Sequence, residues 1–329
     1  MPDSVSTIQQ HDQGDNALDA RCGSGSIRGS LRHTLTLSPL WPSRPVLTDP
    51  MPEHTQAATQ PTWRSIDEFL EFSLRSNPLN GTEREVFDRY YSGYRRRFGP
   101  YIRHHFAEQS REMTSILRER SGLRVLEVGA GCGTESLWFA LQGADVTAID
   151  LAVDRLGVAR ARQQSLEKYM KAPVKATFVE SSLFDFETSG SFDVIWMEQT
   201  FHHIEPRSDV FSKLFDMLRP GGRLVISESN AWNLCVQAQL FMRRGIKTKT
   251  FVVDPKGRRV AYGNERITTP YALTRGLRGA GFEIRNVRPF RMLPNLNVSA
   301  RWIRMEEVLL SFVPWMSTHF NVVAMKPGG

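Results

Sequence analysis

The run Arg124-Val-Leu-Glu-Val-Gly-Ala-Gly-Cys-Gly-Thr134, with Gly-Ala-Asp-Val-Thr-Ala-Ile-Asp150 downstream, constrains this chain more than any other part of it. It reads as a buried strand, a turn with glycines at alternate positions, a helix, and a second strand ending in an acid. That is the layout of an α/β site for a nucleoside-containing ligand. Gly129, Gly131 and Gly133 leave room where a Cβ would intrude and tolerate turn dihedrals closed to other residues. Asp150 stands at the carboxyl end of the second strand, where a carboxylate can accept hydrogen bonds from two ribose hydroxyls.

The spacing also separates ligands. A dinucleotide fingerprint wants Gly-x-Gly-x-x-Gly over a pyrophosphate, whereas here Gly-x-Gly-x-Gly is followed by Thr134. Glu127, inside the strand before the turn, would repel a pyrophosphate and draw a cationic ligand. With Asp150, the segment Val125 to Gly133 resembles the first two motifs of the class I S-adenosylmethionine-dependent methyltransferases. Phe192-Asp-Val-Ile-Trp and Leu218-Arg-Pro-Gly-Gly-Arg-Leu-Val-Ile226 resemble the fourth- and fifth-strand signatures of the same family. The resemblance spans roughly Phe87 to Pro327.

It implies S-adenosylmethionine as cofactor and S-adenosylhomocysteine as product. Glu127, Gly129, Ala130, Gly131 and Gly133 would lie against the methionine part, Asp150 would hold the ribose, and Leu151 would touch adenine. Ser182 takes the place of the acid that often meets the adenine amine, with Leu183 beside it; Asp185 is the alternative. Glu198, just after the fourth strand, belongs to the sulfonium side.

The fold implied is α/β, a doubly wound, seven-stranded, mostly parallel sheet of order 3-2-1-4-5-7-6. Hydrophobic periodicity places strands at Arg124–Val128, Asp145–Ile149, Lys175–Glu180, Phe192–Met197, Arg223–Ser227, Phe282–Arg288 and Phe320–Lys326. Thr269-Pro270 opens a helix as cap and first residue. Ahead of the sheet, Ile66–Leu74 and Glu83–Glu108 read as helices. The organisation expected is a flexible tail over 1–60, a helical lid over 61–121, and a cofactor domain over 122–329 with substrate-facing insertions at 230–268 and 290–318. Tyr90 and Tyr94, one helical turn apart, are expected to share a face over the sulfonium.

The 329 residues carry three cysteines, Cys22, Cys132 and Cys235, without zinc or redox spacing. No stretch approaches the roughly eighteen apolar residues of a membrane span, and the start lacks a secretory pattern. A cytoplasmic enzyme, monomer or homodimer, is expected. The net charge of +7 favours anionic small molecules. A nucleic-acid reading would ask for a binding module or interleaved aromatics, and neither stands out.

Candidates for acceptor chemistry follow the fourth and fifth strands, in Glu198-Gln-Thr-Phe-His-His-Ile-Glu205 and Glu228-Ser-Asn230. His202 is the freer candidate for a general base. His203 matches a histidine often found beside the cofactor in the family, and Glu228 looks like an acceptor-side acid. No metal is expected, since adjacent histidines chelate poorly and no third ligand recurs at useful spacing. The expected acceptor is a small natural-product or lipid-like molecule, anionic or not, methylated at oxygen or nitrogen. Peripheral membrane contact through Trp302, Phe312 and Trp315 stays open. An RNA methyltransferase and a catalytically silent cofactor-binding subunit are the alternatives.

Overall fold

The computed structural model describes residues 63–328 apart from 77, 189–191, 255 and 294–297. The tail expected over 1–60, with Cys22, lies outside the described residues.

Five helices precede the sheet: α1 (Ile66–Arg75), α2 (Gly81–Tyr90), α3 (Ser92–Arg97), α4 (Pro100–Gln109) and α5 (Arg111–Leu117). In α1, Ile66, Phe69, Leu70 and Leu74 fall on one buried stripe, with Asp67 and Glu68 in the first turn and Arg75 in the last. The helical stretch expected over Glu83–Glu108, with a break at Gly99-Pro100, is three helices, since the chain also breaks at Tyr91. The chain turns at Tyr91, which is buried and shares a 2.5 Å hydrogen bond with Thr134, and again at Gly99, with Pro100 opening α4. Tyr90 and Tyr94 therefore sit on different helices, and the shared face expected from their spacing does not exist.

The sheet is built from β1 (Arg124–Val128), β2 (Asp145–Asp150), β3 (Ala176–Glu180), β4 (Phe192–Glu198), β5 (Leu218–Ser229), β8 (Glu283–Phe290) and β9 (His319–Met325). Between them run α6 (Thr134–Leu141), α7 (Val153–Met170), α8 (Arg207–Met217) and α10 (Pro270–Gly279). The order is β3-β2-β1-β4-β5-β9-β8, the expected 3-2-1-4-5-7-6. Pairing is parallel through β5 and antiparallel at β5–β9 and β8–β9.

Alternation along the strands divides the core in two. Val125, Val146, Val194, Trp196 and Val225 pack with α6, α7 and the N-terminal helices, where Phe69, Leu70 and Phe87 join Trp138. Leu126, Val128, Ile195, Met197 and Ile226 pack with α8 and α10. Burying one such large side chain is worth about 2–3 kcal/mol, so α1 and α2 belong to the core as much as α6 does.

The insertion after β5 holds α9 (Leu234–Arg244), capped by Asn233 at 3.0 Å from the Val236 amide. It also holds an antiparallel ribbon of β6 (Lys249–Val253) and β7 (Arg259–Gly263), which periodicity did not resolve. The later insertion carries α11 (Ala300–Phe312) and a short 3-10 turn, Pro314–Met316. No helix among the described residues is long and apolar enough to cross a membrane.

Candidate active site

The carboxyl ends of β1, β2, β4 and β5 form one rim, as parallel sheets place their ligand sites. Behind β1 the glycine loop folds back on β2: the amides of Gly129 and Ala130 donate to the Ile149 carbonyl at 2.8 and 3.1 Å. Asp150 fastens the loop from below, accepting from Gly131 N and Ala152 N at 2.8 Å each. This uses two of its roughly four acceptor sites. Gly129 and Gly131 have φ of +87° and +50°, and a Cβ on them would lie 2.1 Å from Thr200 Oγ1 and 2.4 Å from Tyr90 Oη. The chain on both sides thus closes down on the loop. Ala130 and Cys132 are buried within it; burial, above all, pushes the Cys132 thiol up to about 12, which makes it a filler rather than a nucleophile.

Carboxylates crowd this end of the sheet. Glu127 is buried and accepts from Ser136 Oγ, yet burial, then the charge of Glu135, push its pKa well above the usual carboxylate range. Glu135 is raised mainly by burial. Glu198 is pushed up to about 8 by burial and by the charges of Glu135 and Glu228, although Gln109 donates to it.

Leu151 follows β2 half-buried. Ser182 donates to Asp185 Oδ2 at 2.7 Å. Asp185 also takes Lys256 Nζ at 2.9 Å and Arg258; these bonds, Ser182 first, hold its carboxyl far below the usual range. Ser182 and Asp185, both expected at the adenine, are thus engaged with each other and with the turn of the β6–β7 ribbon. Leu183 is buried in the core layer of α8 and α10. Tyr90 lies against Gly131, its ring edge on Tyr91 at 4.8 Å. Tyr94 packs instead on Phe98 and Phe106 at 5.8 and 5.6 Å.

Past β4 a 3-10 turn, Phe201–His203, carries both histidines. His202 Nδ1 sits 2.7 Å from Glu228 Oε2, and its backbone amide donates to the other oxygen at 3.3 Å. Burial disfavours its cation, but the charge and hydrogen bond of Glu228 and the charge of Glu265 outweigh that, and its pKa is raised. His203 donates Nδ1–H to the Gly263 carbonyl at 2.8 Å and stacks on Tyr262. Burial, then neighbouring His202, drive its pKa well down. Asn230, expected to meet the acceptor, is committed to Ser317 at 3.0 Å and the Trp232 amide at 3.0 Å.

One cavity joins these parts. Tyr90 and Gly129 line it with Glu198, His202, His203 and Glu265, and Arg243, Arg291 and His319 complete its wall. Sequence reasoning missed Gln109, Glu135, Glu265 and Arg291, which carry no local pattern.

Residues 126–226 match a family model described as a methyltransferase domain. Over 180 residues the chain is 32% identical to the ubiquinone biosynthesis O-methyltransferase of Xanthomonas axonopodis pv. citri (strain 306), covering 54% of this chain and 69% of that one. The chain belongs to the class I S-adenosylmethionine-dependent methyltransferases. It is also 31% identical over 134 residues to the malonyl-[acyl-carrier protein] O-methyltransferase of Enterobacter lignolyticus (strain SCF1), covering 40% and 50% of the two chains. Among solved structures it resembles magnesium protoporphyrin IX methyltransferase from Synechocystis PCC 6803 with bound SAH, at 18% identity and a TM-score of 0.45, over 74% of this chain and 97% of that one.

The methyltransferase uses S-adenosylmethionine, and its residues fit that cofactor. Cradle glycines at left-handed φ admit a close ligand, and the carboxyl groups of Glu127, Glu135 and Glu198, held above their ordinary range by burial and then, for Glu127 and Glu198, by neighbouring carboxylates, favour a cationic one. S-adenosylmethionine brings two, an ammonium and a sulfonium. As in the other members of its small-molecule branch, the reaction is transfer of the sulfonium methyl to an acceptor.

Proposed function

We propose that the acceptor is a small molecule with an apolar body and an anionic group, methylated at oxygen. The observation that carries this is the His202–Glu228 pair. Glu228 is wholly buried and fixes Nδ1 of His202, so that Nε2 lies on the side of Glu265, 3.6 Å away, at the cavity that also reaches Tyr90 and the glycine loop. Methyl transfer is an in-line displacement whose leaving sulfur is already activated when the cofactor is bound. The protein must align the acceptor and keep water out. A hydroxyl at neutral pH also has to give up its proton, and a positioned base or Lewis acid is needed for it where a neutral amine needs none. On this reading His202 and His203, on the cavity wall, face the acceptor hydroxyl, and Glu228 orients His202 from behind.

Both curated relatives named above are O-methyltransferases by name, which supports oxygen. Arg243 and Arg291 on the cavity wall support an anionic group. Exposed apolar side chains share both insertions with arginines: Phe241 and Met242 beside Arg243 and Arg244 on α9, and Phe312 on α11, which carries Arg301 and Arg304, with Trp315 in the following turn. Such pairings suit a lipid-like acceptor held at an anionic membrane surface.

A panel of phenols with alkyl tails, with and without a carboxylate, set against matched anilines, tests this directly. Mass spectrometry should show O-methyl products, favouring tailed, anionic phenols. Methylation confined to the anilines would overturn the reading. Flotation with phosphatidylglycerol vesicles should carry the enzyme upward, and Phe312→Ser should weaken it.

A further inference from the structure

We propose that His202, His203 and Glu265 bind one divalent first-row transition-metal ion at the acceptor end of the cavity. One ligand atom from each of the three lies within 4.8 Å of the others, and Nε2 of His202 is 3.6 Å from Oε2 of Glu265. Metal bonds of about 2.0–2.2 Å place ligand atoms roughly 3–4 Å apart. Closing on an ion therefore takes side-chain movement on the order of 1 Å.

Neighbouring histidines on a regular helix diverge by about 100°, and these do not. In the 3-10 turn their rings lie 4.1 Å apart, tilted by 55°. Each ring is also set by an outer partner. The Gly263 carbonyl can only accept, so Nδ1 of His203 is the donor and Nε2 carries the lone pair. The carboxylate of Glu228 does the same for His202. A ligating histidine whose other nitrogen donates to a carboxylate or a carbonyl is the usual second layer of a metal site.

The third ligand arrives by a backbone fitted to this turn. A Cβ on Gly263 would lie 2.0 Å from the His202 carbonyl oxygen, so only glycine lets β7 run so close. Two residues later Glu265 sits at φ +50°, a left-handed conformation that costs a non-glycine residue about 1 kcal/mol or more. The carboxyl groups of Glu228 and Glu265 flank the His202 ring on its two nitrogens, at 2.7 and 3.6 Å, a setting that suits a cation. Two imidazoles and one carboxylate suit zinc, cobalt or nickel better than magnesium, which prefers an all-oxygen shell.

The chemistry assigned to the ion rests on the acceptor-oxygen reading above. A hydroxyl bound at an open position loses its proton to solvent water. Its oxygen forms the new O–C bond while the C–S bond breaks and its electron pair stays on sulfur. The ion keeps its oxidation state throughout, and His202 acts as a ligand through Nε2.

Chelator-treated, full-length enzyme titrated with cobalt(II) tests the site without any acceptor. Calorimetry should show a 1:1 site, and visible absorption a bound cobalt(II) spectrum; magnesium should give neither. Glu265→Gln and His203→Gln should each weaken cobalt binding at least tenfold while S-adenosylhomocysteine still binds, which shows that the fold survives. Glu228→Gln, an outer partner, should weaken it less. No 1:1 site in wild-type enzyme that binds S-adenosylhomocysteine, or a site untouched by Glu265→Gln, overturns the proposal. An enzyme that binds cobalt normally yet methylates only amines would refute the oxygen reading and leave the metal site standing.

Discussion

Glu228 and His202 face each other across 2.7 Å with the carboxylate wholly cut off from solvent. The imidazole and the His202 amide both donate to it, which meets the need of a buried polar group for partners. Their orientation is therefore fixed before any acceptor arrives.

Turnover should depend on that orientation. His202→Gln is expected to lower kcat about 10²–10⁴-fold with little change in affinity for S-adenosylmethionine. Because the His202 pKa is raised and the neutral ring is the useful form, kcat should climb with pH and level off above that pKa. Glu228→Gln removes the charge that raises it, so the rising limb should move to lower pH. A kcat–pH profile of the three enzymes decides; coincident limbs would refute the coupling.

Cofactor binding should release protons. In the empty enzyme Glu198 holds a proton up to about pH 8, against an ordinary value of 4.5. A cationic ligand beside it favours the carboxylate, so affinity should increase as pH rises from about 6 to 8. Over the same window the empty enzyme should lose stability. A folded-state pKa above the unfolded value means the folded chain binds the extra proton, and that advantage is fully present below the unfolded pKa and gone above the folded one. Calorimetry in buffers of different ionisation enthalpy counts the protons, and zero release would contradict the assignment.

Asp150→Ala should abolish measurable S-adenosylmethionine binding. It should also lower the melting temperature, because the amides of Gly131 and Ala152 lose their acceptor at about 1–3 kcal/mol each where burial leaves them unsatisfied. Unchanged affinity by calorimetry would remove Asp150 from the site.

Truncation separates tail from core. Deleting residues 1–55 should leave the melting temperature and activity near those of the full chain. Deleting through Tyr101 removes Phe69, Leu70 and Phe87 from the core and should leave no cooperative unfolding transition. Phe87→Ala alone should cost about 3–5 kcal/mol, read by urea denaturation.

Much of this was legible in the sequence because it is local. The glycine loop, Asp150 at the end of β2, the strand order carried by the family motifs, and the Thr269 cap, 3.0 Å from the Ala272 amide, all lie within short runs. Tyr91 was not legible: its turn inward is decided by Thr134, a partner in another element. Glu265 was invisible for the same reason, since only the β7 backbone brings it to His202, about sixty residues earlier. Glu135, one residue past Thr134 in the first turn of α6, bears on Glu198 at the end of β4 only through the sheet that brings the ends of β1 and β4 together.

Arg162 of α7 reaches Cys132 O at 2.6 Å and Thr134 Oγ1 at 2.9 Å under the loop, and Ser73 of α1 at 3.0 Å. Its guanidinium also lies over the rings of Phe69, Phe87 and Tyr91. Lifting α1 and α2 away would take Ser73 and the rings of Phe69 and Phe87 from a buried cation, leaving it only its acceptors in the loop. The guanidinium that seats the glycine loop is therefore also the clasp that holds the N-terminal helices against it. Whatever loosens one must loosen the other.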